Sequence, residues 1–94
     1  MTEKQLQSRI LRTINAIYGV WAKAHVATAY TGKGHPDIYG CCEGRAFFAE
    51  VKLPGKTLTK LQKTILRNIQ EKSGAECFVW TTEEEAVHDI IARM

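Results

Sequence analysis

Gly34-His35-Pro36-Asp37-Ile38-Tyr39-Gly40-Cys41-Cys42-Glu43-Gly44-Arg45-Ala46-Phe47-Phe48-Ala49-Glu50-Val51-Lys52 is the stretch whose reading decides the fold. It opens at the end of a loop, Thr31 to Pro36, marked by two glycines and a proline. A short apolar run from Ile38 to Cys42 follows, and Glu43-Gly44 then reads as a tight turn. From Arg45 to Lys52 a period of two places Phe48, Glu50 and Lys52 on one face of a strand and Phe47, Ala49 and Val51 on the other. Two strands joined by so short a turn predict a hairpin. Closing it draws Asp37, at the mouth of the loop, toward Glu50 and Lys52.

Outward from the hairpin the chain alternates helices and strands. Leu6, Ile10, Leu11, Ile14, Ile17 and Tyr18 recur at three and four residues, which predicts an amphipathic helix over 3–18 closed by Gly19. Val20 to Tyr30 turns β-branched, aromatic and roughly alternating, so a first strand is expected there with Val20, Ala22, Ala24, Val26, Thr28 and Tyr30 on one face. Beyond the hairpin, Pro54-Gly55 breaks the chain. Leu58, Leu61, Ile65, Leu66 and Ile69 then stand in helical register up to about Ser73, with Gly74 as the stop. Cys77 to Trp80 forms a fourth strand, and Thr82 with Glu85 predicts a capping box opening a last helix through Val87, Ile90 and Ile91. The order is αβββαβα. Three successive strands followed by a β-α-β crossover imply an α/β fold with a central four-stranded mixed sheet flanked by helices.

A chain of 94 residues can bury one core and not two, so residues 1–94 are expected to form a single domain. Apolar residues make up 45% and charged residues 24%, a balance that predicts folding rather than disorder. The start of the chain is polar, and the longest apolar stretches fall short of the ~20 residues that cross a bilayer, so a cytoplasmic protein is expected. Cys41, Cys42 and Cys77 are odd in number and lack C-x-x-C spacing, and are read as reduced strand residues. A net charge of +3 permits a polyanionic partner without demanding one.

The residue types at the hairpin carry a definite chemistry. Two carboxylates brought together bind a hard divalent cation such as Mg²⁺, which prefers oxygen ligands. A metal so held polarises a phosphate and acidifies a bound water. Lys52, beside Glu50, supplies a positive charge to orient the attacking water or stabilise the phosphorane-like transition state. These are the parts for phosphodiester hydrolysis. Each has a plainer reading: an Asp after Pro is a common turn residue, and Glu-x-Lys on a strand is often a same-face charge pair. The joint pattern carries the argument.

Lys60, Lys63 and Arg67 recur along the second helix almost opposite its apolar stripe, and Lys56 extends the row, which can track a phosphate backbone or serve as a solvated face. Lys33, in the glycine loop before Asp37, is the better placed DNA contact, and Gly32 and Gly34 would let a nucleic-acid backbone approach there. His35, two residues from Asp37, is read as a loop or DNA-contact residue. Trp21 and Trp80, in strands, are read as core or interface. The glycine loop lacks the pattern of a nucleotide-binding motif.

Gly34-His35-Pro36-Asp37-Ile38, Phe47-Phe48-Ala49-Glu50-Val51-Lys52 and Leu58-Thr59-Lys60-Leu61-Gln62, in that order, resemble the VRR-NUC branch of the PD-(D/E)xK nucleases, including small stand-alone phage and bacterial members. The resemblance implies a restriction-endonuclease-like fold and Mg²⁺- or Mn²⁺-dependent cleavage of DNA. Asp37 and Glu50 would be metal ligands together with the carbonyl of Val51, and Lys52 the catalytic lysine. It also points to Glu3 in the first helix and Gln62 in the second as active-site residues. Gln62 alternatively completes a capping box with Thr59, and Glu3 alternatively answers the helix dipole. Structure-selective action on branched or four-way junction DNA in repair is a further implication, and two sites on a homodimer are the simplest way for so small a chain to cut two strands. A catalytically inactive DNA-binding or assembly module, and an RNA-processing nuclease, are the alternatives.

Overall fold

The computed structural model describes residues 1–26 and 33–94. Its elements are α1 (Glu3–Asn15), β1 (Val20–Ala24), β2 (Ile38–Cys42), β3 (Arg45–Val51), α2 (Lys60–Ser73), β4 (Glu76–Trp80) and α3 (Glu83–Arg93). The strands form one sheet in the order β1-β2-β3-β4, antiparallel between the first three and parallel between β3 and β4. Antiparallel neighbours need only short connections, whereas the parallel pair requires a crossover, which α2 supplies. The hairpin closes as predicted. Cys42 pairs with Arg45, and Glu43 (φ 49°) and Gly44 (φ 84°) both take left-handed backbone angles, the two-residue turn whose twist matches that of the flanking strands.

The two faces of the sheet differ. One carries Ala22, Ile38, Phe47, Ala49, Val51, Phe78 and Trp80, all buried, and α1 and α3 close over it with Leu6, Ile10, Ile14, Ala86 and Ile90. The rings of Phe47, Phe78 and Trp80 pack at centroid separations of 5.4 to 6.3 Å, and the Trp80 indole N–H donates to Asp89 Oδ2 at 3.0 Å, satisfying the one polar atom it buries. Gly40 belongs to this face because a Cβ there would sit 2.7 Å from the Phe47 ring and 2.6 Å from the Trp21 carbonyl oxygen. Small here means close-packed there.

Among the described residues, α2 is the helix that covers the opposite face. Thr59 and Gln62 cap its start reciprocally, and Gly74, at φ 74°, ends it in the left-handed conformation. Leu66 is its one buried residue, seated beside β4, where the Cys77 thiol donates to the Leu66 carbonyl oxygen at 3.5 Å. Cys41, Cys42 and Cys77 are free thiols on strands. Among the described residues, no helix is long and apolar enough to cross a membrane.

Some expectations give way. The first helix stops at Asn15 rather than Tyr18, and Tyr18 is 94% exposed instead of part of the apolar stripe. The cause is Asn15, whose amide donates to the Ala22 carbonyl oxygen (3.0 Å) and accepts from the Ala22 N–H (2.9 Å), so it turns the chain onto the free edge of β1. Strand β1 ends at Ala24; Val26 is exposed, and Thr28 and Tyr30 lie outside the described residues. At α3, Thr82 caps the helix by accepting from the Glu85 N–H at 3.1 Å, but the Glu85 carboxylate turns to the Thr81 N–H and hydroxyl instead of completing the box with Thr82. Trp80 is core as expected, whereas Trp21 is 54% exposed.

Candidate active site

The register that pairs Ile38 with Ala49 places Asp37 opposite Glu50 one step further along the hairpin. Asp37 is held from three directions. Its carbonyl oxygen accepts from the His25 N–H (2.8 Å), prolonging the β1-β2 ladder, and from the Gln7 side-chain amide (2.9 Å). Its carboxylate Oδ2 accepts from the Val51 N–H at 2.8 Å. That last bond fixes the carboxylate against β3, between the positions of Glu50 and Lys52.

The loop leading to Asp37 is set by a close approach. Gly34, at φ 85°, lies against α2 so tightly that a Cβ would stand 2.8 Å from both Leu61 Cγ and Ile65 Cδ1. The freedom of Gly34, expected to admit a nucleic-acid backbone, is used by α2 instead. Gly32 lies outside the described residues.

Glu50 is the one buried charged residue among those described, with no exposed surface, and neither of its carboxylate oxygens has a hydrogen-bond donor. Burial pushes its pKa up to about 8, reinforced by the Asp37 charge, by a hydrogen bond that a proton shared with Asp37 would make, and by Glu3; Lys52 opposes the shift. Leaving a carboxylate buried without a donor is costly unless a proton or a cation compensates it. The donor set fits the second: carboxylate oxygens from Asp37 and Glu50 suit a hard divalent ion, with the Val51 carbonyl on the same strand end. No group of three or more His, Cys, Asp or Glu side chains gathers among the described residues, so further ligands would come from backbone, water or substrate.

The remaining candidates are placed as follows. Lys52 follows the last residue of β3, half-buried, its N–H donating to the Trp80 carbonyl oxygen at 3.0 Å. Glu3, exposed in the first turn of α1, is near enough to add to the load on Glu50. Gln62 is half-buried, and its side-chain oxygen accepts from the Thr59 N–H at 2.9 Å, so the capping role is present. Lys33, His35, Lys56, Lys60 and Lys63 are all exposed.

Two neighbours of the site escape a reading of the sequence. Gln7 reaches the Asp37 backbone from α1; its signal is the i, i+4 spacing from Glu3, which puts both on one side of the helix. His25 stacks on His35 at 5.2 Å between ring centroids, and its buried Nε2 has no hydrogen-bond partner among the described residues. Nothing in the local sequence marks that stacking, because the two histidines meet only once β1 and the Asp37 loop are in register.

No protein-family model and no curated protein matches the chain. Solved structures do. A VRR_NUC domain superposes with a TM-score of 0.78 at 19% identity, covering 98% of this chain and 97% of that one. Hjc, a Holliday junction resolvase from Archaeoglobus fulgidus, an archaeal hyperthermophile, superposes with a TM-score of 0.64 at 19% identity, over 81% of this chain and 64% of that one. At such identity the likeness is one of fold. The chain has the restriction-endonuclease-like α/β architecture, and the fold expected from the motifs is the fold found.

Proposed function

We propose that the protein is a metal-dependent DNA endonuclease in which Asp37, Glu50 and the Val51 carbonyl hold Mg²⁺ or Mn²⁺ and Lys52 is the catalytic lysine. The observation that carries this is Glu50: buried, without a hydrogen-bond donor, and beside a second carboxylate anchored on its own strand. When bound, such an ion supplies Lewis acidity toward a phosphodiester and toward its water. The chain's residues do the rest. The Val51 N–H holds Asp37 in place, and Gln7 and the His25 backbone fix the loop that carries it. Lys52 offers its ammonium to the charge that grows on the phosphate in the transition state. Gln62 and Glu3 flank the site as its outer polar members, and Lys33, His35, Lys56, Lys60 and Lys63 contact phosphates on either side of it.

The substrate we favour is branched DNA, four-way junctions included, because a solved structure that shares this fold is a resolvase of Holliday junctions. One site cuts one strand, so a homodimer with a two-fold axis would present two sites to a symmetric junction. The test is cleavage of linear, flap, splayed and four-way substrates in Mg²⁺, Mn²⁺ or EDTA by the wild type, Asp37→Ala and Lys52→Ala. Metal-dependent cutting lost in both variants is the expected result. A wild type that binds DNA and cuts nothing would make the protein a binding module, and selective cutting of RNA would move it to RNA processing. Sedimentation with and without junction DNA tests the dimer.

A further inference from the structure

The face of the sheet that bears Asp37 and Glu50 continues past α2 onto β1 and β2, and there no helix among the described residues covers it. Register puts Trp21 opposite Cys41 and Lys23 opposite Tyr39, so Trp21, Lys23 and Tyr39 share the face of Asp37 and Glu50. Tyr39 stands two residues from Asp37 on β2, about 7 Å along the strand. Trp21 is 54% exposed and Tyr39 40% exposed, and their rings meet edge to face with centroids 6.0 Å apart. At the adjoining free edge of β1, a groove of about 720 Å³ is lined by Arg12, Asn15, Trp21 and Lys23 and by no carboxylate. Neither Arg12 nor Lys23 is in an ion pair among the described residues.

We propose that Trp21 and Tyr39 form a platform on which an unpaired nucleotide of the bound DNA stacks, while Lys23 and Arg12 engage the phosphates that flank it. The placement of this strand beside the cleavage site rests on the nuclease reading above. Exposed aromatic rings flanked by unpaired cations are the combination that binds single strands, since every base has a π-face and every linkage a charge. A duplex keeps its bases stacked on one another and offers none to the rings. A second copy of the chain fits the patch less well, because a two-fold contact would bring Lys23 and Arg12 against their own equivalents. The platform gives the site a physical means of preferring DNA with unpaired bases next to the scissile bond.

Fluorescence separates the possibilities, because Trp80 is fully buried and Trp21 is the only other tryptophan. In EDTA, titration with oligothymidylate should quench Trp21, and a blunt duplex of equal charge should not. Tyr39→Leu, read through the native Trp21, and Trp21→Leu, read by anisotropy of a labelled oligonucleotide, should each weaken single-strand binding on the order of tenfold while the melting temperature holds. Quenching by the blunt duplex equal to that by the single strand would overturn the proposal, as would Tyr39→Leu binding with wild-type affinity. Emission that shifts with protein concentration in the absence of DNA would assign the face to a second copy and overturn it too. The two readings fail separately: quenching without metal-dependent cleavage sinks the nuclease alone, and cleavage of branched DNA without quenching sinks the platform alone. Lys52→Ala should lower cutting by roughly 10²–10³-fold and leave the quenching intact.

Discussion

The two faces of this sheet are built from neighbouring residues of the same strands and have opposite relations to water. On β3, Phe47, Ala49 and Val51 point into a sealed layer under α1 and α3, while Phe48 and Glu50 point to the face that α2 covers only in part. The sealed face is apolar and its one indole N–H is satisfied. The other face keeps a buried carboxylate without a donor, an exposed aromatic pair and a helix with a single buried residue. Stability is concentrated on one side and unmet polar demand on the other, as expected where a site has been built at the expense of the fold that carries it.

Substitutions can test that division. The largest expected effect on folding lies in the sealed layer: Phe47→Ala should cost about 3–5 kcal/mol by chemical denaturation, since it removes the ring against which Phe78 and Trp80 pack. A loss under 1 kcal/mol would mean the two faces are not so unequal. Lys52→Ala, on the other side, should leave the denaturation midpoint almost unmoved and lower cleavage by roughly 10²–10³-fold, the scale of one lost transition-state donor.

Glu50 connects the two properties. Its carboxyl titrates near 8 in the folded, metal-free protein and near 4.3 when unfolded, so the folded state binds the proton more tightly. Its stabilising contribution is complete below about pH 4 and is lost as pH rises toward 8, at up to about 1.4 kcal/mol per pH unit. In EDTA the wild type should therefore lose a few kcal/mol between pH 5 and pH 8 relative to Glu50→Gln, which carries no titrating group there and should be inactive. Mg²⁺ or Mn²⁺ should restore much of that loss to the wild type and none to the variant. Parallel melting curves for the two proteins across this range would remove Glu50 as the source of the strain.

A smaller effect is expected at Gly34. Gly34→Ala places a methyl within 2.8 Å of Leu61 and Ile65 on a left-handed residue, which should cost roughly 1–2 kcal/mol and lower activity by shifting the loop of Asp37. Activity falling with no change in stability would mean that α2 yields and the loop does not.

Much of this was legible in the residues, and the exceptions share a physical cause. The hairpin, its turn and the common face of Asp37, Glu50 and Lys52 follow from a period of two and a Glu-Gly pair, both local signals. The end of α1 was not legible, because the apolar stripe continues through Tyr18 while Asn15 is recruited by a strand seven residues on. Trp21 and Trp80 look alike in sequence; their burial is decided by which strand is at the edge and which helix lies over it. Gly34 could be read as a place of close approach, but only the fold says that α2 is what approaches. Gln7 and His25 acquire meaning at the site through contacts with Asp37; the spacing of Gln7 from Glu3 puts it on the right side of α1, but only the fold brings either residue to Asp37.

The clasp of Asn15 on Ala22 has a consequence for solubility. An edge strand ordinarily offers a row of open N–H and C=O groups to any other extended chain, and here the central pair is already occupied by a side chain acting as a mock neighbour. Growth of the sheet by addition of strands from other copies is blocked at that point. The block depends on an amide, which can both give and accept: Asn15→Asp, the product of simple deamidation, would keep the acceptor for the Ala22 N–H and abandon the carbonyl. Slow chemical ageing at this one position would thus reopen the edge to aggregation while leaving every residue of the candidate site in place.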